Sequence, residues 1–341
     1  MSTEPTRPRL VVKGLKKHFP LKDGRVVQAV DGVDFTVREG ETLGVVGESG
    51  CGKSTTARLL MHLIEPDTGD VIVDGLKAGV PAELPLRELR RNVQMVFQDS
   101  FASLNPRLPI EDTIAFGPRA HGLPAGDARR RARALLARVG LAPELFAQRY
   151  PHQLSGGQRQ RVNIARGLAL HPKILILDEA VSALDKSVEA QVLNLLADLK
   201  EELGLTFLFI SHDLNVVRWI ADRVLVMYLG RIVELGPVER IYQAPRHPYS
   251  RALLQAMPSM DPEKRTEAAP LTGDPPNPID PPSGCRFRTR CPFAEPVCAT
   301  TEPELADDPL GERHVVACHM DTPESGHSRA GVHIAEALEN A

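Results

Sequence analysis

No stretch of this 341-residue chain approaches the roughly 20 apolar positions that span a bilayer. The longest strongly apolar run, Leu205 to Ile210, stops at Ser211 and His212. No charge sign dominates either: 41 Lys and Arg stand against 44 Asp and Glu, a net of −3. That balance argues against a general polyanion-binding surface and leaves room for a local basic patch. The segment Met1 to Arg9 is polar and proline-rich and lacks the apolar core of a secretory signal, so a cytoplasmic protein is expected. Internal repeats and heptad stretches are absent. With 42% hydrophobic and 25% charged residues the composition is globular, and the length predicts one large domain with an appendage, or two domains.

Cysteine is scarce, and four of the five crowd together: Cys285, Cys291, Cys298 and Cys318, with Cys51 alone far upstream. In a cytoplasmic chain this crowding favours metal ligation over disulfides.

Short strands are predicted at Leu10–Leu15, Val26–Val30 and, after an Asp31-Gly32 turn, Val33–Val37. Thr42–Val46 is an apolar strand leading into a glycine-rich loop, and Ser54–Ile64 reads as helix. Asp70–Asp74 and Val93–Phe97 are further strand candidates. Helices are expected at Asp127–Val139 and Gln158–Leu170. Strands return at Ile174–Leu177, Phe207–Ile210 and Val224–Tyr228, the first two separated by a helical repeat of Val188, Val192, Leu195, Leu196, Leu199 and Leu203. Strand, helix and strand in that order predict an α/β fold with parallel pairing and crossover helices. Pro258–Gly284 is proline-rich and poor in apolar residues, the mark of a linker or extended arm, and the last twenty or so residues read as a loose tail.

Gly47-Glu48-Ser49-Gly50-Cys51-Gly52-Lys53-Ser54 matches the phosphate-loop pattern, after a strand and at the opening of a helix. Its glycines let the backbone wrap closely enough for N–H groups to cradle phosphate oxygens, aided by the positive end of the helix. Lys53 is placed to bridge the β- and γ-phosphates, and the Ser54 hydroxyl to ligate Mg²⁺. Asp178 and Glu179 end an apolar strand on the edge where parallel sheets bind ligands. There Asp178 suits the Mg²⁺ shell and Glu179 suits a general base for the attacking water.

Leu154-Ser155-Gly156-Gly157-Gln158, continuing Arg159-Gln160-Arg161, stands where a helix begins, with Ser155 as its cap. The segment resembles the signature motif of ATP-binding cassette (ABC) ATPases. Other elements of that family follow in order: Gln98 after a strand, Ser182-Ala183-Leu184-Asp185 as the D-loop, and His212 after Phe207–Ser211 as the switch histidine. Phe19 stands where the family places an adenine-stacking aromatic. Singly, Phe19 also reads as core, Gln98 as a surface residue and His212 as a strand-end histidine; the ordered combination is specific.

The resemblance covers about residues 10–240 and implies a P-loop ABC cassette: a parallel-sheet core, an N-terminal antiparallel β subdomain and an inserted α-helical subdomain at about 99–165. The nucleotide-binding set it implies is Phe19, Gly47 through Ser54 with Thr55, Asp178, Ser155, Gly156, Gly157, Gln158 and Asp185. Glu179, His212 and Gln98 would be catalytic, and Ser54, Gln98 and Asp178 would hold Mg²⁺. It also implies an ATP sandwich, two cassettes meeting head to tail, so this chain needs a second cassette. Ala180 replaces the proline that many members have after the glutamate, and slight loosening is expected there.

Arg246-His247-Pro248-Tyr249-Ser250-Arg251-Ala252-Leu253-Leu254 and the proline-rich arm resemble the extension of oligopeptide/dipeptide importer ATPases. Asp99–Arg107 and Val181–Asp185 resemble the F-type subunit more than its D-type partner. The domains expected are a cassette at 10–257, a four-cysteine extension at 258–320 and a tail at 321–341. The partners implied are a D-type ATPase paralogue, two transmembrane permease subunits and an extracytoplasmic solute-binding protein, with this chain peripheral on the cytoplasmic face of the membrane. The expected work is import of di- or oligopeptides, with nickel or another small solute as the alternative. The C-x5-C-x6-C-x19-C spacing is too wide for a zinc knuckle, and four thiolates suit Zn²⁺ or an iron–sulfur cluster; the importer resemblance favours [4Fe-4S] on Cys285, Cys291, Cys298 and Cys318.

Phe101, Leu104 and Phe116 are candidate permease contacts and equally candidate core. A cassette ATPase acting on nucleic acid is the rival class. The balanced charge and single cassette speak against it, and Arg129, Arg130, Arg131, Arg133 and Arg138 read as a solvated helical face.

Overall fold

The computed structural model describes residues 7–257, 276–306 and 313–331. Most of the expected linker at 258–284 and the end of the expected tail lie outside those residues. The chain forms two compact units: one of residues up to Arg38, Thr42–Lys77 and His212 onward, the other of Glu39–Glu41 and Ala78–Ser211. Among the described residues no helix is long and apolar enough to cross a membrane.

In the first unit, four antiparallel strands pair in the order Val26–Arg38, Pro8–Pro20, Thr68–Val73 and Leu76–Lys77. The two strands expected at Val26–Val30 and Val33–Val37 are one. Leu15 pairs with Val33 and Lys16 with Asp31, so Gly32, at φ +74°, is the extra residue of a bulge and not a turn. A second set places Thr42–Val46 parallel to Arg223–Tyr228, which turns back antiparallel into Arg231–Pro237. Leu229 and Gly230 make that turn, both at positive φ (43° and 79°), as a two-residue hairpin requires. The short strand Val315–Val316 pairs antiparallel with Glu234 and Leu235, and this fastens the far C-terminal segment to the cassette. The segment expected as tail is itself tied down as far as it is described. Arg246 binds Asp321, and buried His327 faces the Phe293 carbonyl at 2.9 Å.

Buried Asp31 is the electrostatic centre of this unit. It meets Arg231 at 2.8 Å and His18 at 3.1 Å, and it accepts from Arg286, whose other nitrogen donates to the Leu229 carbonyl. Burial alone would raise its pKa; Arg231, Arg286, His18 and Lys16 together outweigh that and lower it. Its contribution to stability is therefore complete above the ordinary carboxylate range and is lost as pH falls through the depressed folded value. Asp31→Asn is expected to cost about 3–5 kcal/mol, because Arg286 loses its buried partner, and to flatten the acid limb of stability against pH. Urea titrations of both proteins between neutral pH and pH 3 check this.

In the second unit Val93–Val96, Ile174–Asp178 and Thr206–Ile210 pair in parallel, in register from Val93 opposite Ile174 and Ile174 opposite Thr206. The last two strands are buried along their whole length, hence their unbroken apolar runs. The helices Ile110–Ala120, Ala125–Arg138 and Gly156–Leu168 pack against one another. Ala128, Ala132, Leu135 and Leu136 face inward. Arg129, Arg130, Arg133 and Arg138 of the same helix are exposed, as read from the sequence, Arg129 gripping Asp112 at 2.8 Å and Arg133 gripping Glu111 at 2.8 Å. Arg131 departs from that face, half-buried and donating to the Ala169 carbonyl at 3.2 Å. Phe207→Ala, in a fully buried strand position, is expected to cost about 3–5 kcal/mol, read as a lower urea midpoint at unchanged slope.

Candidate nucleotide site and cysteine cluster

The strand Thr42–Val46 is wholly buried and delivers the chain into the phosphate loop, which the helix Lys53–Leu60 closes. Two loop glycines are demanded by space as well as by dihedral. A Cβ on Gly47 (φ +147°) would lie 2.2 Å from the Met227 carbonyl oxygen, and one on Gly52 (φ +109°) would lie 2.3 Å from that of Ala29. Lys53 is buried and folds back over the loop, its Nζ donating to the carbonyls of Gly47 at 2.7 Å and Glu48 at 3.0 Å. Cys51, 3.7 Å from that ammonium, is buried, and burial raises its thiol pKa, in keeping with a small spacer. Ser54 and Thr55 open the helix half-buried; Ser49 and Gly50 are exposed at the loop tip.

In the other unit, Asp178 ends the strand Ile174–Asp178 and is buried. Glu179 follows at φ +48°, a conformation costly for a non-glycine residue and concentrated at functional sites. Its amide donates to the Ile210 carbonyl at 3.0 Å, and its Oε2 accepts from Gln98 Nε2 at 2.7 Å. The structure thus joins two of the expected catalytic residues. Ala180 packs buried behind them.

Ser155 caps the helix Gly156–Leu168 as expected. Its Oγ accepts from the Gln158 amide at 3.3 Å, and Gln158 Oε1 accepts from the Ser155 amide at 3.0 Å, a reciprocal capping box. A Cβ on Gly157 would lie 2.4 Å from Val188 Cγ1, so this glycine is also the point where the helix Lys186–Leu203 comes close. Asp185 precedes that helix with an exposed side chain. Buried Asn163 binds Ser100 and Ser103 and so anchors the segment after Gln98 to the signature helix. Of the three candidate permease contacts in this unit, Phe101 and Phe116 are exposed and Leu104 is core. Phe19 lies half-buried near the end of Pro8–Pro20, with Lys17 Nζ 5.7 Å from its ring centre. His212 is exposed, followed by Asp213, which caps the helix Leu214–Ile220.

Two residues bound to the phosphate loop were not legible as such. Tyr249 accepts a hydrogen bond from the Glu48 amide at 2.8 Å, and Arg290 holds the Glu48 carboxylate. They stand 201 and 242 positions away in the chain, beyond any local pattern.

The four C-terminal cysteines line one small cavity together with His247, His319 and His327. Burial pushes the Cys285 thiol up to about 11 and those of Cys291 and Cys318 up to about 12, so they rest as neutral thiols. Among the described residues, no three His, Cys, Asp or Glu stand ready to hold a metal ion. The four thiols converge on this cavity without forming a ready-made coordination set.

Residues 30–182 match the family model described as ABC transporter, and 233–298 match oligopeptide/dipeptide transporter, C-terminal region. The chain is 50% identical over 322 residues to the oligopeptide transport ATP-binding protein OppF of Salmonella typhimurium, covering 91% of this chain and 95% of that one. It is 48% identical over 323 residues to the oligopeptide transport ATP-binding protein AppF of Bacillus subtilis, covering 91% and 97%. Among solved structures, a dimeric post-hydrolysis state of the ATP-binding cassette MJ0796 bound to ADP and Pi superposes with a TM-score of 0.59 at 29% identity, covering 67% of this chain and 98% of that one. The phosphate loop, the capped signature helix and this likeness over nearly the full length agree: the chain belongs to the ABC transporter family, as an ATP-binding cassette carrying the oligopeptide/dipeptide transporter C-terminal region.

Proposed function

We propose that this chain binds and hydrolyses ATP and so energises import of di- or oligopeptides through a membrane permease. The observation that carries the reading is the likeness, over nearly the whole chain, to proteins named as oligopeptide transport ATP-binding subunits. In this reading the loop amides of Gly47–Ser54 and the Lys53 ammonium take the phosphates, exchanging the lysine's bonds to Gly47 and Glu48 for bonds to ATP. Phe19 stacks on adenine. Ser54, Gln98 and Asp178 supply oxygens for Mg²⁺. Glu179 orients and deprotonates the attacking water, held by Gln98, and His212 is the switch histidine. Ser155, Gly156, Gly157 and Gln158, with Asp185, serve the nucleotide of the second cassette. That cassette is a D-type paralogue, and two permease subunits and an extracytoplasmic binding protein complete an importer on which this chain is peripheral at the cytoplasmic face. The cassette runs over 10–257, with the four-cysteine extension at 258–320.

Reconstitution with the companion chains in vesicles tests this. ATP-dependent uptake of labelled peptides is the expected result. Uptake of nickel or another small solute in their place would reassign the cargo, and absence of adenine-nucleotide binding would remove the reading entirely.

For Cys285, Cys291, Cys298 and Cys318 we infer a structural [4Fe-4S] cluster, with Zn²⁺ as the alternative. What supports it is the convergence of four soft donors on one cavity, and such a centre would staple together the Cys285–Cys291 turn, the helix Pro296–Thr300 and the segment after Val315–Val316. After anaerobic purification, iron and acid-labile sulfide in equal amounts are expected; zinc alone would select the alternative, and neither would leave four free thiols.

A further inference from the structure

Arg290 stands immediately before Cys291, and its guanidinium forks onto the carboxylate of Glu48, the second residue of the phosphate loop. Nη1 donates to Oε2 at 2.7 Å and Nη2 to Oε1 at 3.0 Å. The arginine side chain is only 5% exposed, so this is no surface ion pair. Nη1 also reaches the Tyr228 hydroxyl at 3.4 Å, and the bond to Glu48 is the main reason the guanidinium holds its proton more tightly than usual.

Glu48 is gripped from the other side too. Its amide donates to the Tyr249 hydroxyl, and its carbonyl accepts from Lys53 Nζ at 3.0 Å. The rings of Tyr228 and Tyr249, 4.6 Å apart, both pack on Phe287, at 5.3 and 5.5 Å. The Phe287 carbonyl in turn accepts from the Arg290 amide at 3.0 Å. A single turn, Cys285 to Cys291, therefore carries two cysteines of the cavity, the arginine that holds the Glu48 carboxylate and the Phe287 ring against which Tyr249 packs. A carboxylate in a phosphate loop would repel a triphosphate; the guanidinium neutralises it, and its planar fork fixes the residue whose carbonyl holds Lys53.

We propose that Arg290 is a positioning residue for the phosphate loop, acting through Glu48, and that it couples nucleotide affinity to the state of the four-cysteine lobe. The coupling is reciprocal by thermodynamic necessity: whatever shifts the Cys285–Cys291 turn changes nucleotide affinity, and bound nucleotide orders that turn. The inference rests on Gly47–Ser54 being the ATP phosphate site.

The test is a double-mutant cycle on binding of adenylyl imidodiphosphate to the full chain. Arg290→Gln is expected to weaken binding roughly fivefold or more, with Arg290→Lys intermediate, since charge returns without the fork. In a Glu48→Gln background, Arg290→Gln is expected to have little further effect; equal losses in both backgrounds would show that Arg290 does not act through Glu48 and overturn the proposal. Hydrogen exchange provides a readout that a purely structural role would not move. The nucleotide should slow exchange in peptides spanning residues 284–292 of the wild type, and this slowing should disappear in Arg290→Lys. Should Arg290→Gln fail to fold, the wild-type exchange decides, and no nucleotide-dependent change there would sink the coupling. Wild-type binding with unaltered variants defeats this inference alone; no binding by the wild type defeats the phosphate-loop reading along with it.

Discussion

Glu179→Gln is expected to bind ATP as tightly as the wild type and to hydrolyse it about 10²–10⁴-fold more slowly, the range that removal of a general base produces. The substitution is nearly isosteric and leaves the strained backbone at φ +48° and the contact with Gln98 in place, so the loss would be chemical, not structural. Equilibrium nucleotide binding and steady-state phosphate release, measured on the assembled complex, separate the two quantities. Undiminished hydrolysis would remove Glu179 as the base and reduce its strained conformation to a feature of the strand exit.

The second large effect is expected at Gly52. Alanine there sets a Cβ 2.3 Å from the Ala29 carbonyl oxygen, a backbone atom that cannot swing away, at a φ of +109° that L-residues avoid. The loop has to distort, and a strain of about 1–3 kcal/mol alone corresponds to a roughly 5- to 150-fold loss of nucleotide affinity if it falls on the loop. Gly50→Ala is the control. Its φ is +77°, but among the described residues nothing lies within 4 Å of the added carbon, so it meets the dihedral cost without the clash and should lose less. Equal losses at the two positions would mean that backbone dihedral, not close approach, is what the loop requires.

The two units share one construction, a buried strand ending in a reactive loop, and they differ in what steadies that loop. Gln98, just past the strand Val93–Val96, and Ile210, at the end of Thr206–Ile210, hold Glu179. The phosphate loop is steadied from the C-terminal region, by Tyr249 and Arg290. Arg290 of the extension therefore steadies the phosphate loop through Glu48, which gives a physical reason for a cassette to carry it.

Much of this protein was legible in the chain itself, because the interactions concerned are short-range. Strand Thr42–Val46 and the apolar run Ile174–Leu177 are set by unbroken burial, the signature helix by Ser155 and Gln158 three residues apart, and the loop glycines by dihedrals that other residues resist. The helix Ile110–Ala120 lies within the α-helical stretch expected at about 99–165, but its bounds are set by the packing of Ile110 and Ile114, with Pro118 in its last turn. Asp31-Gly32 looked like a turn and became a bulge because Arg231 and Arg286, some 200 and more positions onward, hold the carboxylate where a turn would release it. The same holds for Glu48: local sequence makes it a loop residue, but only the pairing of Val315–Val316 with Arg231–Pro237 and the folding of Cys285–Cys291 bring Arg290 to it. Contacts closed through sheet register depend on where distant strands dock, and no window of neighbouring residues contains that information.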